Sequence, residues 1–121
     1  MENKTILVIE DNVLNLKLVV ALLGKEKHRV LSAEDAEEGI RMARKHKPDL
    51  ILMDIQLPGM DGLSATRLIK EDEDLSGIPV VALTSYAMQG DEKKAHEAGC
   101  VGYIPKPIDT RQFLQTLSQY L

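Results

Sequence analysis

Residues 50–62 read LILMDIQLPGMDG, and the chemistry of the segment changes halfway along. Leu50 to Met53 are four consecutive apolar residues, a run short enough for a strand buried on both faces. Asp54 ends the run, and a Pro-Gly-Met-Asp-Gly turn follows. Aspartate is a common turn former and helix cap. Asp54 therefore has two readings: local punctuation, or a carboxylate that a buried strand delivers to a site. What the rest of the chain places nearby decides between them.

Outward from this strand the same alternation repeats. TILVIE (Thr5 to Glu10), RVLSA (Arg29 to Ala33), PVVALT (Pro79 to Thr84) and VGYIP (Val101 to Pro105) read as four further strands. Between them lie NLKLVVALLGKE, EDAEEGIRMARKHK, GLSATRLIKEDED and GDEKKAHEAG, with apolar residues at helical spacing. DTRQFLQTLSQYL closes the chain as an amphipathic helix expected to start at an Asp109 cap. Strands and helices in strict alternation with short connections predict βαβ units, an α/β fold with a five-stranded parallel sheet and helices on both faces.

Composition narrows the function classes. With 121 residues the chain has room for one domain with a real core. A net charge of -4 lacks the basic footprint of a nucleic-acid binder, so direct DNA binding is not expected. No apolar run approaches the roughly 20 residues of a membrane span. Cys100 is the only cysteine, which rules out an internal disulfide and makes a cytoplasmic home the expectation. Cys100 itself reads as a small core residue. His28, His46 and His96 read as solvated surface, and the KEDED run (Lys70 to Asp74) as a solvated helix end.

In open parallel sheets, ligands bind beyond the carboxyl ends of the strands. There the first strand delivers Glu10 and Asp11, the third Asp54, the fourth Thr84 and Ser85, and the fifth Lys106 and Pro107. Asp11 and Asn12 also stand where a helix beginning near Val13 needs a cap. Three crowded carboxylates repel unless a cation relieves them. An oxygen-only donor set suits a hard ion such as Mg2+. A lysine and a hydroxyl beside the acids suit the oxygens of a phosphoryl group.

LVIEDN, LILMDIQLPGMDG, VVALTS and GYIPKP, in this order on successive strand ends, resemble the receiver domains of two-component response regulators. The likeness covers essentially the whole chain and is greatest to stand-alone cell-cycle regulators and to receivers of hybrid histidine kinases. It implies a flavodoxin-like (βα)5 sheet of order 2-1-3-4-5. It further implies that Asp54 is the phosphoacceptor, and that Glu10, Asp11, Asp54 and the Gln56 backbone carbonyl serve Mg2+. Thr84 and Lys106 would contact the phosphoryl group, Tyr103 would be an aromatic switch coupled to Thr84, and the Lys106–Pro107 bond would be cis. Gln56 and Tyr86 would tune hydrolysis. The implied partners are a sensor histidine kinase or histidine phosphotransfer protein upstream. Downstream, a protein target would dock on the face of the fourth helix, fifth strand and fifth helix.

Residues 1–121 are thus expected to form one receiver domain without an output domain. The expected chemistry is limited to self-phosphorylation from phosphodonors and autodephosphorylation. Phosphatases of the haloacid dehalogenase type also use a strand-end Asp with Mg2+, but they need a second acid two residues later, where this chain has Gln56. A flavin carrier of similar topology would need a Gly- and hydroxyl-rich phosphate loop where this chain has Glu10-Asp11-Asn12. A degenerate receiver serving only as a docking module is disfavoured, since no key position is lost.

Overall fold

The computed structural model describes residues 4–84 and 89–121. Strands and helices alternate as β1 (Thr5–Ile9), α1 (Val13–Lys25), β2 (Arg29–Ala33), α2 (Ala36–His46), β3 (Leu50–Asp54), α3 (Gly62–Glu71), β4 (Val80–Thr84), α4 (Gln89–Ala98), β5 (Gly102–Pro105) and α5 (Phe113–Ser118). The five strands form one parallel sheet of order β2-β1-β3-β4-β5.

Alternate side chains of the central strands feed two separate core layers, as the period of two requires. Leu7, Ile9, Ile51, Met53, Val80 and Ala82 pack with Ala36 and Ala43 of α2 and Ala65 and Ile69 of α3. Ile6, Val8, Leu50, Leu52, Val81 and Leu83 pack on the other face with Val19, Leu22 and Leu23 of α1 and Phe113 and Leu117 of α5. Each fully buried aliphatic side chain contributes about 1.5–3 kcal/mol, so β1, β3 and β4 form a rigid floor for whatever their ends carry.

From β1 the chain crosses to β2 on one side and then returns past β1 to β3 on the other. The crevice between the ends of β1 and β3 is therefore the topological switch point, the usual ligand site of such sheets. Three helices that start at this edge carry side-chain caps. Asn12 accepts from the Asn15 N–H at 3.0 Å, Asp35 from Glu38 at 2.8 Å and Asp61 from Ser64 at 2.9 Å.

Several local expectations need correction. α5 does not start at an Asp109 cap. Asp109 Oδ1 instead accepts from the Arg111 N–H in a preceding turn, and the helix runs only from Phe113 to Ser118 with no side-chain cap. His28 is half-buried and its Nδ1 accepts the Lys4 N–H at 3.1 Å, while His46 is also half-buried, so neither is simply solvated. The KEDED run is structural at two positions. Lys70 Nζ donates to the carbonyls of Ser76 and Ile78 at 3.1 and 2.7 Å, and Asp72 accepts from Arg44 at 3.1 Å. α3 ends at Glu71: Asp72 is extended and its Oδ1 accepts the Asp74 N–H at 2.9 Å, opening the turn whose carbonyls meet that ammonium.

Candidate functional site

Register brings the acids together. β1 and β3 pair with Ile9 opposite Met53, so Glu10 and Asp54, each one residue further on, emerge side by side. Asp54 pairs with Leu83 and Thr84 with Pro105, which sets Thr84 and then Lys106 around the same point. The Lys106 N–H donates to the Thr84 carbonyl at 2.6 Å, and the Lys106–Pro107 peptide that follows is cis.

Two of the acids are buried. Glu10 is 1% exposed and Asp54 3%, whereas Asp11 is open to solvent. Isolated buried carboxylates are costly, and this pair shares one cation. Lys106 Nζ lies 2.5 Å from Glu10 Oε1 and 3.0 Å from Asp54 Oδ2. The remaining oxygens are also held, Asp54 Oδ1 by the Gln56 N–H at 3.0 Å and Glu10 Oε2 by the Asn12 N–H at 3.4 Å.

Burial, reinforced by a hydrogen bond with Asp54, pushes the Glu10 carboxyl above its ordinary value despite Lys106. Burial alone would lower Lys106, but its bonds to Glu10 and Asp54 outweigh that and raise it, so the ammonium stays charged. One cation serving two carboxylates leaves negative charge in excess, and the site is built to receive more positive charge. Glu10, Asp11 and Asp54 each offer a carboxylate oxygen within 4.8 Å of the others. An all-oxygen set of that span fits a hard divalent ion such as Mg2+. An open cleft of about 510 Å3 lies over these groups, walled also by Asn12, Val13, Asn15 and Gln56.

Glu10, Asp11, Asp54, Gln56 and Lys106 therefore share one cleft, and Thr84 is buried at the adjacent strand end. Tyr103 does not line that cleft among the described residues. It is half-buried in a separate hollow of about 490 Å3 between α4, β5 and the end of α5, with Cys100 and Tyr120. The Glu92 carboxylate beside it raises its phenol. Tyr86 lies outside the described residues. The sequence pattern alone does not mark the first turn of α1 as part of the site. Its signal is positional: Asn15 stands three residues after the cap Asn12 and returns to the same face.

The response regulator receiver domain family matches residues 6–118. The chain belongs to the response regulator receiver domains. It is 43% identical over 118 residues to the polar-differentiation response regulator DivK of Brucella anthropi, covering 98% of this chain and 96% of that one. The receiver domain of the sensor histidine kinase PA1611 from Pseudomonas aeruginosa, a crystal structure with a magnesium ion coordinated in the active site cleft, superposes with a TM-score of 0.89. It is 35% identical and covers 98% of both chains. The receiver domain of the Saccharomyces cerevisiae response regulator Ssk1, solved with the histidine phosphotransfer protein Ypd1, gives 0.90 at 28% identity, over 98% of this chain and 88% of that one.

The receiver is thus a phosphoacceptor switch of two-component signalling with the flavodoxin-like order 2-1-3-4-5. Receiver domains partner with histidine kinases or phosphotransfer proteins. Among the described residues no helix is long and apolar enough to cross a membrane.

Proposed function

We propose that Asp54 is the phosphoacceptor of this receiver, taking a phosphoryl group from a phosphohistidine on a sensor kinase or histidine phosphotransfer protein. The observation that carries the reading is the Lys106 ammonium bridging two buried carboxylates, one of them at the end of β3, beneath an open polar cleft. Asp54 attacks phosphorus through a carboxylate oxygen. The phosphorus–nitrogen bond breaks, its electron pair remains on the imidazole, and that nitrogen takes a proton from solvent.

Glu10, Asp11, Asp54 and the Gln56 carbonyl would hold Mg2+, which when bound would supply positive charge against the phosphoryl oxygens. Lys106, already 3.0 Å from Asp54, is placed to pair with the new anion. Thr84, one strand over, would donate its hydroxyl to the phosphoryl group. The readout would pass from Thr84 to Tyr103 and on to a downstream protein at α4, β5 and α5, where the hollow beside Tyr103 lies. Gln56 and Tyr86 would tune hydrolysis.

Chemistry on this chain is confined to phosphorylation and autodephosphorylation of Asp54, without turnover of external esters. We read residues 1–121 as one receiver domain acting in the cytoplasm, a reading the single free thiol of Cys100 suits. Upstream docking is supported by Leu14, which is 76% exposed in the first turn of α1 beside the cleft.

Intact mass after incubation with acetyl phosphate or phosphoimidazole tests the reading. A Mg2+-dependent gain of one phosphoryl group, absent in Asp54→Asn, is expected. Folded, Mg2+-binding protein that takes no phosphoryl group from either donor would overturn it.

A further inference from the structure

Asp54 sits at the floor of its cleft with both oxygens held, one by the Gln56 N–H and one by Lys106. A reacting molecule therefore approaches from the open side. Phosphoryl transfer places the attacking and leaving atoms roughly in line, so the atom that leaves the donor lies opposite Asp54, at the cleft mouth. Hydrolysis reverses the geometry: the attacking water occupies that same apical position. Whatever holds that position controls both the loading and the decay of the switch.

Besides Gln56, already read as tuning hydrolysis, and the charged groups of the site, the mouth offers few candidates. The Asn12 carboxamide oxygen is committed to capping α1, where it accepts the Asn15 N–H. Val13 has no polar side-chain atom. Asn15 occupies the position from which a capping-box side chain would reach back to the Asn12 N–H. That N–H goes instead to Glu10 Oε2. Asn15 is half-buried on the cleft wall, and its carboxamide has no hydrogen-bond partner among the described residues. It is also uncharged, so unlike its acidic neighbours it does not repel an incoming phosphoryl donor.

We infer that Asn15 is the positioning residue for the apical ligand of phosphoryl transfer, steadying the leaving atom of the donor during loading and the attacking water during decay. The inference rests on Asp54 being the phosphoacceptor. In decay, water oxygen bonds to phosphorus, the bond to the Asp54 oxygen breaks, and the electron pair returns to the carboxylate. The proton of the water leaves with the phosphate or to solvent. Asn15 gives or accepts hydrogen bonds throughout and exchanges no proton.

The test is a time course of intact mass and 31P NMR on wild type, Asn15→Ala and Asn15→Asp, with Mg2+ affinity from calorimetry. Losing one neutral hydrogen bond is expected to slow loading by acetyl phosphate and decay alike in Asn15→Ala, by about three- to tenfold, with Mg2+ affinity unchanged. Asp in the first turn of a helix suits the macrodipole, so Asn15→Asp keeps α1 folded while placing a like charge at the mouth. It should load more slowly than wild type. Wild-type rates in Asn15→Ala, wild-type loading in Asn15→Asp, or rate losses that merely track lost Mg2+ affinity would overturn the inference and leave the phosphoacceptor reading intact. A wild-type protein that takes no phosphoryl group would remove both.

Discussion

At Gly62, the first residue of α3, helix propensity and packing give opposite answers. Its φ lies outside the left-handed region, so alanine is conformationally allowed and intrinsically better in a helix by up to about 1 kcal/mol. A Cβ built there, however, meets the Asp54 carbonyl oxygen at 2.1 Å, with the Asp54 carbonyl carbon and Ile55 Cα both at 2.9 Å. All three are backbone atoms, so no rotamer relieves the clash. Ordinary contact begins at 3.4 Å, and the Asp54 peptide or α3 must therefore move by more than an ångström.

Overpacking of this kind costs typically 1–3 kcal/mol, so Gly62→Ala should be net destabilising by about 1–2 kcal/mol. To the extent that the Asp54 peptide is the part that yields, its carboxylate moves off the 3.0 Å contact with Lys106. Misplacement on that scale is expected to slow phosphorylation by about 10- to 100-fold. Urea unfolding and an acetyl phosphate time course measure the two effects. Gly24→Ala is the matched control: Gly24 lies within α1 and its Cβ would meet nothing within 4 Å, so it should gain up to about 1 kcal/mol with normal phosphorylation. A Gly62→Ala protein as stable as wild type and phosphorylated at the same rate would refute the packing argument.

Three further outcomes are expected. Lys106→Met strands Glu10 and Asp54 as buried like charges and should cost about 3 kcal/mol at pH 7. Glu10 is already raised and would rise further, so the deficit should shrink as pH falls and the pair takes up a proton; a pH-independent deficit in urea midpoint would contradict this. Leu14→Asp should slow loading from a phosphorylated histidine phosphotransfer protein by about tenfold or more while loading from acetyl phosphate stays normal; equal effects on both donors would argue against a docking role. Asp61→Ala removes the α3 cap and should cost about 1 kcal/mol at neutral pH. The Ser64 N–H and hydroxyl hold the Asp61 carboxyl below its ordinary 3.8, so its contribution is present above that value and lost as pH falls through the lower folded value. Wild type and variant should therefore converge in acid thermal melts, and a constant gap would exclude the carboxylate as its source.

The parallel α/β architecture and most of the cleft are legible in the chain because both rest on local patterns. A strand buried on both faces must be apolar throughout, so Leu50–Met53 announces itself, and the residue that breaks each such run marks a strand end. That is why Glu10, Asp11, Asp54, Thr84 and Lys106 can be picked out one by one. The weak places are those where a distant group overrides the local pattern. Lys70 belongs to a charged run, yet it folds back onto the carbonyls of Ser76 and Ile78, and Asp109 prefers a turn to the helix start that its neighbours suggest.

Only the tertiary structure decides what the strand ends do to one another. Glu10 and Lys106 are far apart along the chain, and the 2.5 Å contact between them exists because parallel register across β1, β3, β4 and β5 aligns their ends. Burial then makes the alignment matter, because two carboxylates withdrawn from water must share a cation. Asn15 is likewise unremarkable in a helical pattern. It stands on the cleft wall while Glu10 takes the Asn12 N–H that a side chain at its position could otherwise cap, an arrangement that depends on where β1 ends against α1. Chemistry-bearing residue types were written in the chain; their distances, charge states and division of labour came from the register of the sheet.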